Sequence, residues 1–181
     1  QEEMYPPGFS THMDPPQVAH ALEGHFRPNH FQGVATIVLK LFHLIPADIS
    51  FFGQKDYQQS LVIRHMIRDL DLPMRVVVCP TVRDGDGLAM SSRNSYLSSD
   101  ERKQALALSQ SLKWAAQHAA DGERRSAALV SGMRHLFAEY GVTEIDYIAL
   151  VDPDTLQEVD RVQGTTLAAV AAHIGKTRLI D

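Results

Sequence analysis

Two short runs carry the side chains best suited to a phosphorylated ligand: "FFGQKDYQQ" at residues 51–59 and "GLAMSSRNSYLS" at residues 87–98. In the first, Gly53 permits close backbone approach, Lys55 is a compact positive charge, and Asp56 can accept hydrogen bonds near a helix start. Gln58 and Gln59 fall in the first turn of that helix, where their amides can read a carboxylate or a hydroxyl. A plain surface turn in which Asp56 caps the helix accounts for the same residues. In the second run Ser91, Ser92 and Arg93 supply hydroxyls, backbone N–H groups and a planar guanidinium, a set suited to phosphate oxygens. Ahead of them Gly85 and Gly87 are expected to make a mobile turn. The alternative is a polar linker between two domains. Ser98 faces Glu101 in a capping box, so not every serine here awaits a ligand.

Whether these groups meet depends on the elements between them. "DISFFG" reads as a strand stopped by Gly53, and "DYQQSLVIRHMIRDLD" places Leu61, Ile63, Met66, Ile67 and Leu70 at helical spacing. "MRVVVCP" has the β-branched content of a buried strand. The three form a βαβ unit, whose right-handed crossover leaves the strands parallel and opens the loops after both at one edge of the sheet. Ligands of open α/β sheets bind at that edge, so Lys55, Arg83 and Arg93 are expected to converge there.

Upstream, "QEEMYPPGFSTHMDPP" is a Pro-rich connection, and "PPQVAHALEG" reads as a short helix closed by Gly24. "FQGVATIVLKLFHLI" is apolar nearly all round, which predicts a helix buried on more than one side. Downstream, "SSDERKQALALSQSLKWAAQHAADG" is an amphipathic helix with Leu108, Leu112, Ala115 and Ala119 in its stripe. A second helix carries Leu129, Met133, Leu136, Phe137 and Tyr140, and "EIDYIALVD", "TTLAAVAAHI" and "TRLID" read as three strands. The class is α/β: a parallel-sheet region through residue 83, then a small α+β domain over residues 84–181.

Composition narrows the function classes. A formal net charge of −5 gives no global field toward nucleic acid or an anionic membrane, so neither is expected as a partner and any phosphate site must be built locally. The single cysteine, Cys79, excludes an internal disulfide, fits a reducing compartment and reads as a strand residue. "TTLAAVAAHIG", the most apolar stretch, is far shorter than the ~20 residues a spanning helix needs, and a cytoplasmic protein is expected. His20, His25 and His30 lie near one another without a Cys/His array or an H-E-x-x-H motif, so no protein-bound metal is expected. Arg27 is placed either to meet an anionic substrate or to cap carbonyls. No GxSxG elbow points to a covalent hydrolase.

Together, "EGHFRPNHFQGVATIVLKLF", "FFGQKDYQQ", "DGLAMSSRNSYLS" and "TRLID" closely resemble the pantothenate synthetase family, the pantoate:β-alanine ligases, and the likeness runs along essentially all 181 residues. The resemblance implies an ATP-dependent ligase that condenses D-pantoate with β-alanine through a pantoyl adenylate, releasing AMP and pyrophosphate. It implies a Rossmann-like nucleotide-binding domain followed by a smaller C-terminal lid domain, a homodimer, and Mg²⁺ dependence. Mapped onto this sequence, it assigns Lys55, Ser91, Ser92 and Arg93 to the ATP phosphates, Gly53 and Asp56 to the ribose, Val82 and Met90 to the adenine, and Gln59 to pantoate. Asn29 stands where the family commonly has Gly, and Gln54 where Glu is frequent.

The family's His-x-Gly-His loop and acidic Mg²⁺ region have no counterpart in these residues. With an opening Gln1 rather than Met, the chain is therefore expected to be the C-terminal part of a longer protein and inactive alone. Two alternatives stay open: a related nucleotidyltransferase that forms a different acyl adenylate, and a non-catalytic nucleotide-binding module.

Overall fold

A computed structural model describes residues 2–181. The chain forms two compact units. One runs to Phe51 and resumes over Gln58–Val77, and the other takes Phe52–Tyr57 and Val78–Asp181.

In the first unit a 3-10 turn at Gln17–His20 leads to a short helix α1, Glu23–Phe26, and then to α2, His30–Leu44. The strand β1, Ile49–Gly53, the helix α3, Tyr57–Asp69, and the strand β2, Arg75–Cys79, follow, with Phe52–Gly53, Tyr57 and Val78–Cys79 at their ends counted in the second unit. β1 and β2 pair in parallel, and the Arg75 N–H donates to the Asp48 carbonyl at 2.9 Å, as the βαβ reading requires. The apolar stripe of α3 buries Leu61, Ile63 and Met66 to 1% exposure or less, whereas Leu70 lies just past the helix end and is exposed.

Two expectations fail here. Gly24 lies inside α1 instead of closing a helix, because the chain folds back so tightly that a Cβ there would sit 1.7 Å from the Ala19 carbonyl oxygen. α2 buries only one side, through Phe31, Ala35 and Thr36, while Leu41 and Leu44 are exposed. An apolar circumference states what a helix is able to bury, and neighbours decide how much of it is covered. At the entrance to α2, Asn29 adopts φ 64°, ψ 0°, a left-handed conformation that Asn tolerates better than most residues and glycine best of all. That backbone demand gives a physical reason for the glycine expected there.

The second unit holds α4, Ser99–Ala120, α5, Ser126–Glu139, and the strands β3, Ile145–Val151, β4, Leu167–Ile174, and β5, Thr177–Ile180. The capping box forms: the Glu101 N–H donates to Ser98 Oγ at 3.3 Å and the Ser98 N–H to the Glu101 carboxylate at 2.8 Å. The strands make an antiparallel sheet in the order β3-β4-β5, with Ile148 opposite Val170 and Ala172 opposite Leu179. α4 lies against β4 and α5 against β3. Leu108, Met133, Phe137, Val170 and Ile174 fill the core between helices and sheet.

Candidate functional site

The first side chain of the site is delivered by the end of β1. After Gly53 the chain makes one 3-10 turn, Gln54–Asp56, that presents Lys55 and runs directly into α3. The Tyr57 hydroxyl then donates to the Pro153 carbonyl at 3.0 Å, tying this corner to the loop after β3. Both groups belong to the second unit, and so does Lys55.

The second run follows β2. Residues 82–90 form a narrow hairpin: the Met90 N–H donates to the Val82 carbonyl at 2.9 Å and the Asp84 N–H to the Leu88 carbonyl at 2.8 Å. Arg102 of α4 grips both acidic residues of the turn, its Nη2 donating to Asp84 and its Nε to Asp86, each at 2.8 Å. The Arg102 guanidinium, helped by the Leu88 N–H, holds the Asp86 carboxyl below the usual carboxylate range. The turn through Gly85 and Gly87 is thus braced, contrary to the expectation of a mobile one. The signal was present in the sequence as an acidic pair, but its partner lies a helix turn into the next element.

Arg83 also departs from expectation. Its guanidinium takes both carboxylate oxygens of Asp181, Nη2 to Oδ1 at 2.8 Å and Nη1 to Oδ2, and Nη1 also reaches the Gly87 carbonyl at 3.2 Å. The Asp181 side chain is only 4% exposed. Arg83 therefore anchors the hairpin to the end of β5 and does not join Lys55 as an available cation.

Lys55 and Ser91 do come together. With Ala89, Asn94, Leu179 and Asp181 they line a narrow cleft that has room for about one water molecule. Lys55 is half-buried, and its ammonium has no hydrogen-bond or ion-pair partner among the described residues. Ser91 caps the 3-10 turn Ser92–Tyr96, its Oγ accepting from the Arg93 N–H at 3.2 Å, which leaves its hydroxyl hydrogen able to donate. Ser92 is exposed. The Arg93 side chain runs along β5, with Nη1 3.4 Å from the Arg178 carbonyl oxygen, and it does not line the cleft.

At the mouth of the hairpin Val82 and Met90 stand side by side, 65% and 55% exposed, whereas its other apolar side chains, Leu88 and Ala89, are buried. Gly53 and Asp56 are exposed, and the Asp56 carboxylate makes no capping hydrogen bond among the described residues.

The two glutamines of α3 separate sharply. Gln58 is 6% exposed, its Oε1 accepting from the Glu23 N–H at 3.0 Å and its Nε2 donating to the Val18 and Ala21 carbonyls at 2.8 and 2.7 Å. Its amide is engaged within the first unit and is not available to read a ligand. Gln59 is half-buried, with no hydrogen bond of its amide among the described residues. Arg27 caps the end of α1 through its backbone N–H, which donates to the Glu23 carbonyl at 2.8 Å, and its side chain does not stand open. It bonds His30 Nε2 at 3.0 Å and lies 3.9 Å from the Glu23 carboxylate. Among the described residues no group of three or more His, Cys, Asp and Glu side chains is placed to hold a metal ion. Among them, too, no helix is long and apolar enough to cross a membrane.

One site residue was not singled out from the sequence. Asn94 closes the motif "MSSRN", yet nothing in the run announces that its Oδ1 would be buried in the cleft without a partner.

Comparison with known proteins extends this geometry. The family model for pantoate-beta-alanine ligase matches residues 1–181. The pantothenate synthetase of Acidobacterium capsulatum is 51% identical over 181 residues, covering 99% of this chain and 60% of that protein. That of Thermotoga neapolitana is 47% identical over 180 residues, covering 99% and 64%. Among solved structures, a pantothenate synthetase from Thermus thermophilus superposes with a TM-score of 0.95 at 42% identity, covering 99% of this chain and 65% of that one. A pantoate-beta-alanine ligase from Francisella tularensis, complexed with beta-gamma ATP and beta-alanine, gives a TM-score of 0.73 at 30% identity, covering 99% and 60%. The chain thus spans 60% and 64% of the length of these two curated relatives.

Proposed function

Because the chain belongs to the pantoate-beta-alanine ligase family, we propose that its protein condenses D-pantoate with β-alanine in the cytoplasm, at the expense of ATP, through a pantoyl adenylate. The observation that carries the reading is the shared cleft of Lys55 and Ser91, two residues far apart in sequence that meet at the loop ends after β1 and β2. A cation without a partner and a hydroxyl able to donate, set beside each other, are what phosphate oxygens require.

In this proposal the triphosphate lies across the mouth of the cleft and meets Lys55, Ser91, Ser92 and Arg93. The adenine rests between Val82 and Met90, whose exposed apolar side chains suit a flat ring. The ribose hydroxyls meet Gly53 and the open carboxylate of Asp56, and Gln59 contacts pantoate. A pantoate carboxylate oxygen attacks the α-phosphorus, the bond from that phosphorus to the bridging oxygen breaks, and pyrophosphate departs. Negative charge grows on the phosphoryl oxygens during this step, so fixed cations there lower the barrier. The β-alanine amine then attacks the acyl carbon, loses a proton and displaces AMP, with no covalent bond to the protein. Burial of the adenylate limits its hydrolysis.

The described residues supply no carboxylate cage for Mg²⁺. A homodimer is part of the same proposal, and light scattering of the native protein tests it.

Pyrophosphate release by the protein at its full native length, with ATP and one carboxylic acid at a time, tests the function. Release that requires pantoate is expected. Release triggered by another acid and not by pantoate would instead assign a related adenylate-forming enzyme, and saturable ATP binding with no release a non-catalytic nucleotide module.

A further inference from the structure

Asn94 carries an anomaly that the proposed phosphate site does not absorb. Its Nδ2 donates to the Ala89 carbonyl at 3.1 Å, while its Oδ1 is shut off from solvent and accepts no hydrogen bond among the described residues. The amide cannot be turned over to relieve this, because Oδ1 would then face the Ala89 carbonyl oxygen, acceptor against acceptor. The backbone is fixed as well, since the Asn94 N–H donates to the Ser91 carbonyl at 3.0 Å and the Asn94 carbonyl accepts from Leu97 at 3.3 Å. A buried acceptor held this firmly without a donor forfeits its hydration with nothing in return, so its role is sought among the donors that share its cleft.

Those donors are few. Asp181 offers none, and both of its carboxylate oxygens are already taken by Arg83. The Ser91 hydroxyl faces the same cleft and is suited to a phosphate oxygen. Lys55 brings an ammonium with three donors and no partner among the described residues. We propose that Asn94 is a positioning residue for Lys55: its buried Oδ1 accepts a hydrogen bond from one water that in turn accepts from the Lys55 ammonium, and so aims that cation at the phosphates. The cleft has room for about one water molecule, which suits this bridge. An amide is the right acceptor here, because it orients an ammonium without cancelling its charge. A carboxylate in its place would neutralise the cation that the phosphates need.

The proposal rests on the reading that Lys55 meets ATP, and its test keeps the two apart. Pantoate-dependent pyrophosphate release is measured at full native length for Lys55→Ala, Asn94→Leu and the double variant. Asn94→Leu is expected to lower kcat about tenfold, but to add less than about twofold in the Lys55→Ala background. A tenfold loss in both backgrounds, or none in either, overturns the positioning role while leaving the ATP reading intact. Near-normal turnover of Lys55→Ala overturns the ATP reading.

A second measurement needs no Asn94 variant to fold. In protein carrying ¹⁵N-lysine, the Lys55 ammonium signal, identified by its loss in Lys55→Arg, is expected to exchange with water more slowly than exposed lysines. Exchange as fast as theirs overturns the hydrogen bond, whatever the kinetics show.

Discussion

Replacing Gln58 with leucine removes a side chain of similar size from a site where all its polar atoms are engaged. The Glu23 N–H and the Val18 carbonyl lose this partner in buried surroundings, whereas the Ala21 carbonyl keeps the Gly24 N–H, which donates to it at 2.8 Å. Two buried groups left unsatisfied at about 1.5–2 kcal/mol each give about 3–4 kcal/mol, and the Ala21 carbonyl adds little because it keeps a backbone donor. That is a large share of the roughly 5–15 kcal/mol that holds a domain together. With a urea dependence of about 2 kcal/mol per molar, the unfolding midpoint of Gln58→Leu is expected to fall by about 1.5–2 M. The adjacent Gln59→Leu serves as the control, since its amide has no partner to strand: its midpoint is expected to move by less than about 0.3 M. At full native length the order reverses for catalysis, with Gln59→Leu raising the KM for pantoate about tenfold. A Gln58→Leu midpoint within about 0.3 M of the unmutated protein, or a larger stability loss in Gln59→Leu, refutes the division of labour between the two glutamines.

Other expectations follow from the same structure. Lys55→Ala is expected to cost about 3 kcal/mol of transition-state stabilisation, at least a hundredfold in adenylate formation measured by single-turnover kinetics. Asn29→Gly should leave thermal stability within about 0.5 kcal/mol, whereas Asn29→Val, forced to φ 64°, should lose roughly 1–2 kcal/mol. The Glu123 carboxyl, bonded by Arg125, is lowered to about 2 and should remain ionised at pH 3.5 by carbon-detected NMR. Because its value is depressed in the folded state, its stabilising contribution is complete above the ordinary value of 4.5 and fades as pH falls toward about 2. Arg125→Ala should return the midpoint toward the ordinary value, and a titration near 4.5 in the unmutated protein would contradict the pair. Gly132→Ala sets a helix-propensity gain of about 1 kcal/mol against a Cβ 1.9 Å from Trp114. Overpacking of this kind costs about 1–3 kcal/mol, so a net loss is expected, reported by the fluorescence of the chain's single tryptophan.

What could be read before folding was what depends on near neighbours or on chirality. The Ser98–Glu101 box spans three residues, and its hydrogen bonds are where the spacing puts them. The meeting of Lys55 with Ser91 follows from the handedness of one crossover, which brings the ends of two parallel strands to the same edge. What could not be read was which polar groups are already engaged with one another. Arg83, Lys55 and Arg93 have equal claims as phosphate cations from residue type alone. Arg83 loses its claim to Asp181, 98 residues further on, and Gln58 loses its own to carbonyls 37 and 40 residues before it. No periodicity reports such pairings, because each is decided by where two separate elements happen to face. The converse holds for Asn94, an ordinary loop residue by type that becomes informative only when its Oδ1 is left over. The proposed binding site is therefore defined less by which residues have the right chemistry than by which donors and acceptors the fold leaves unused: the Lys55 ammonium, the Ser91 hydroxyl hydrogen and Asn94 Oδ1, in one cleft.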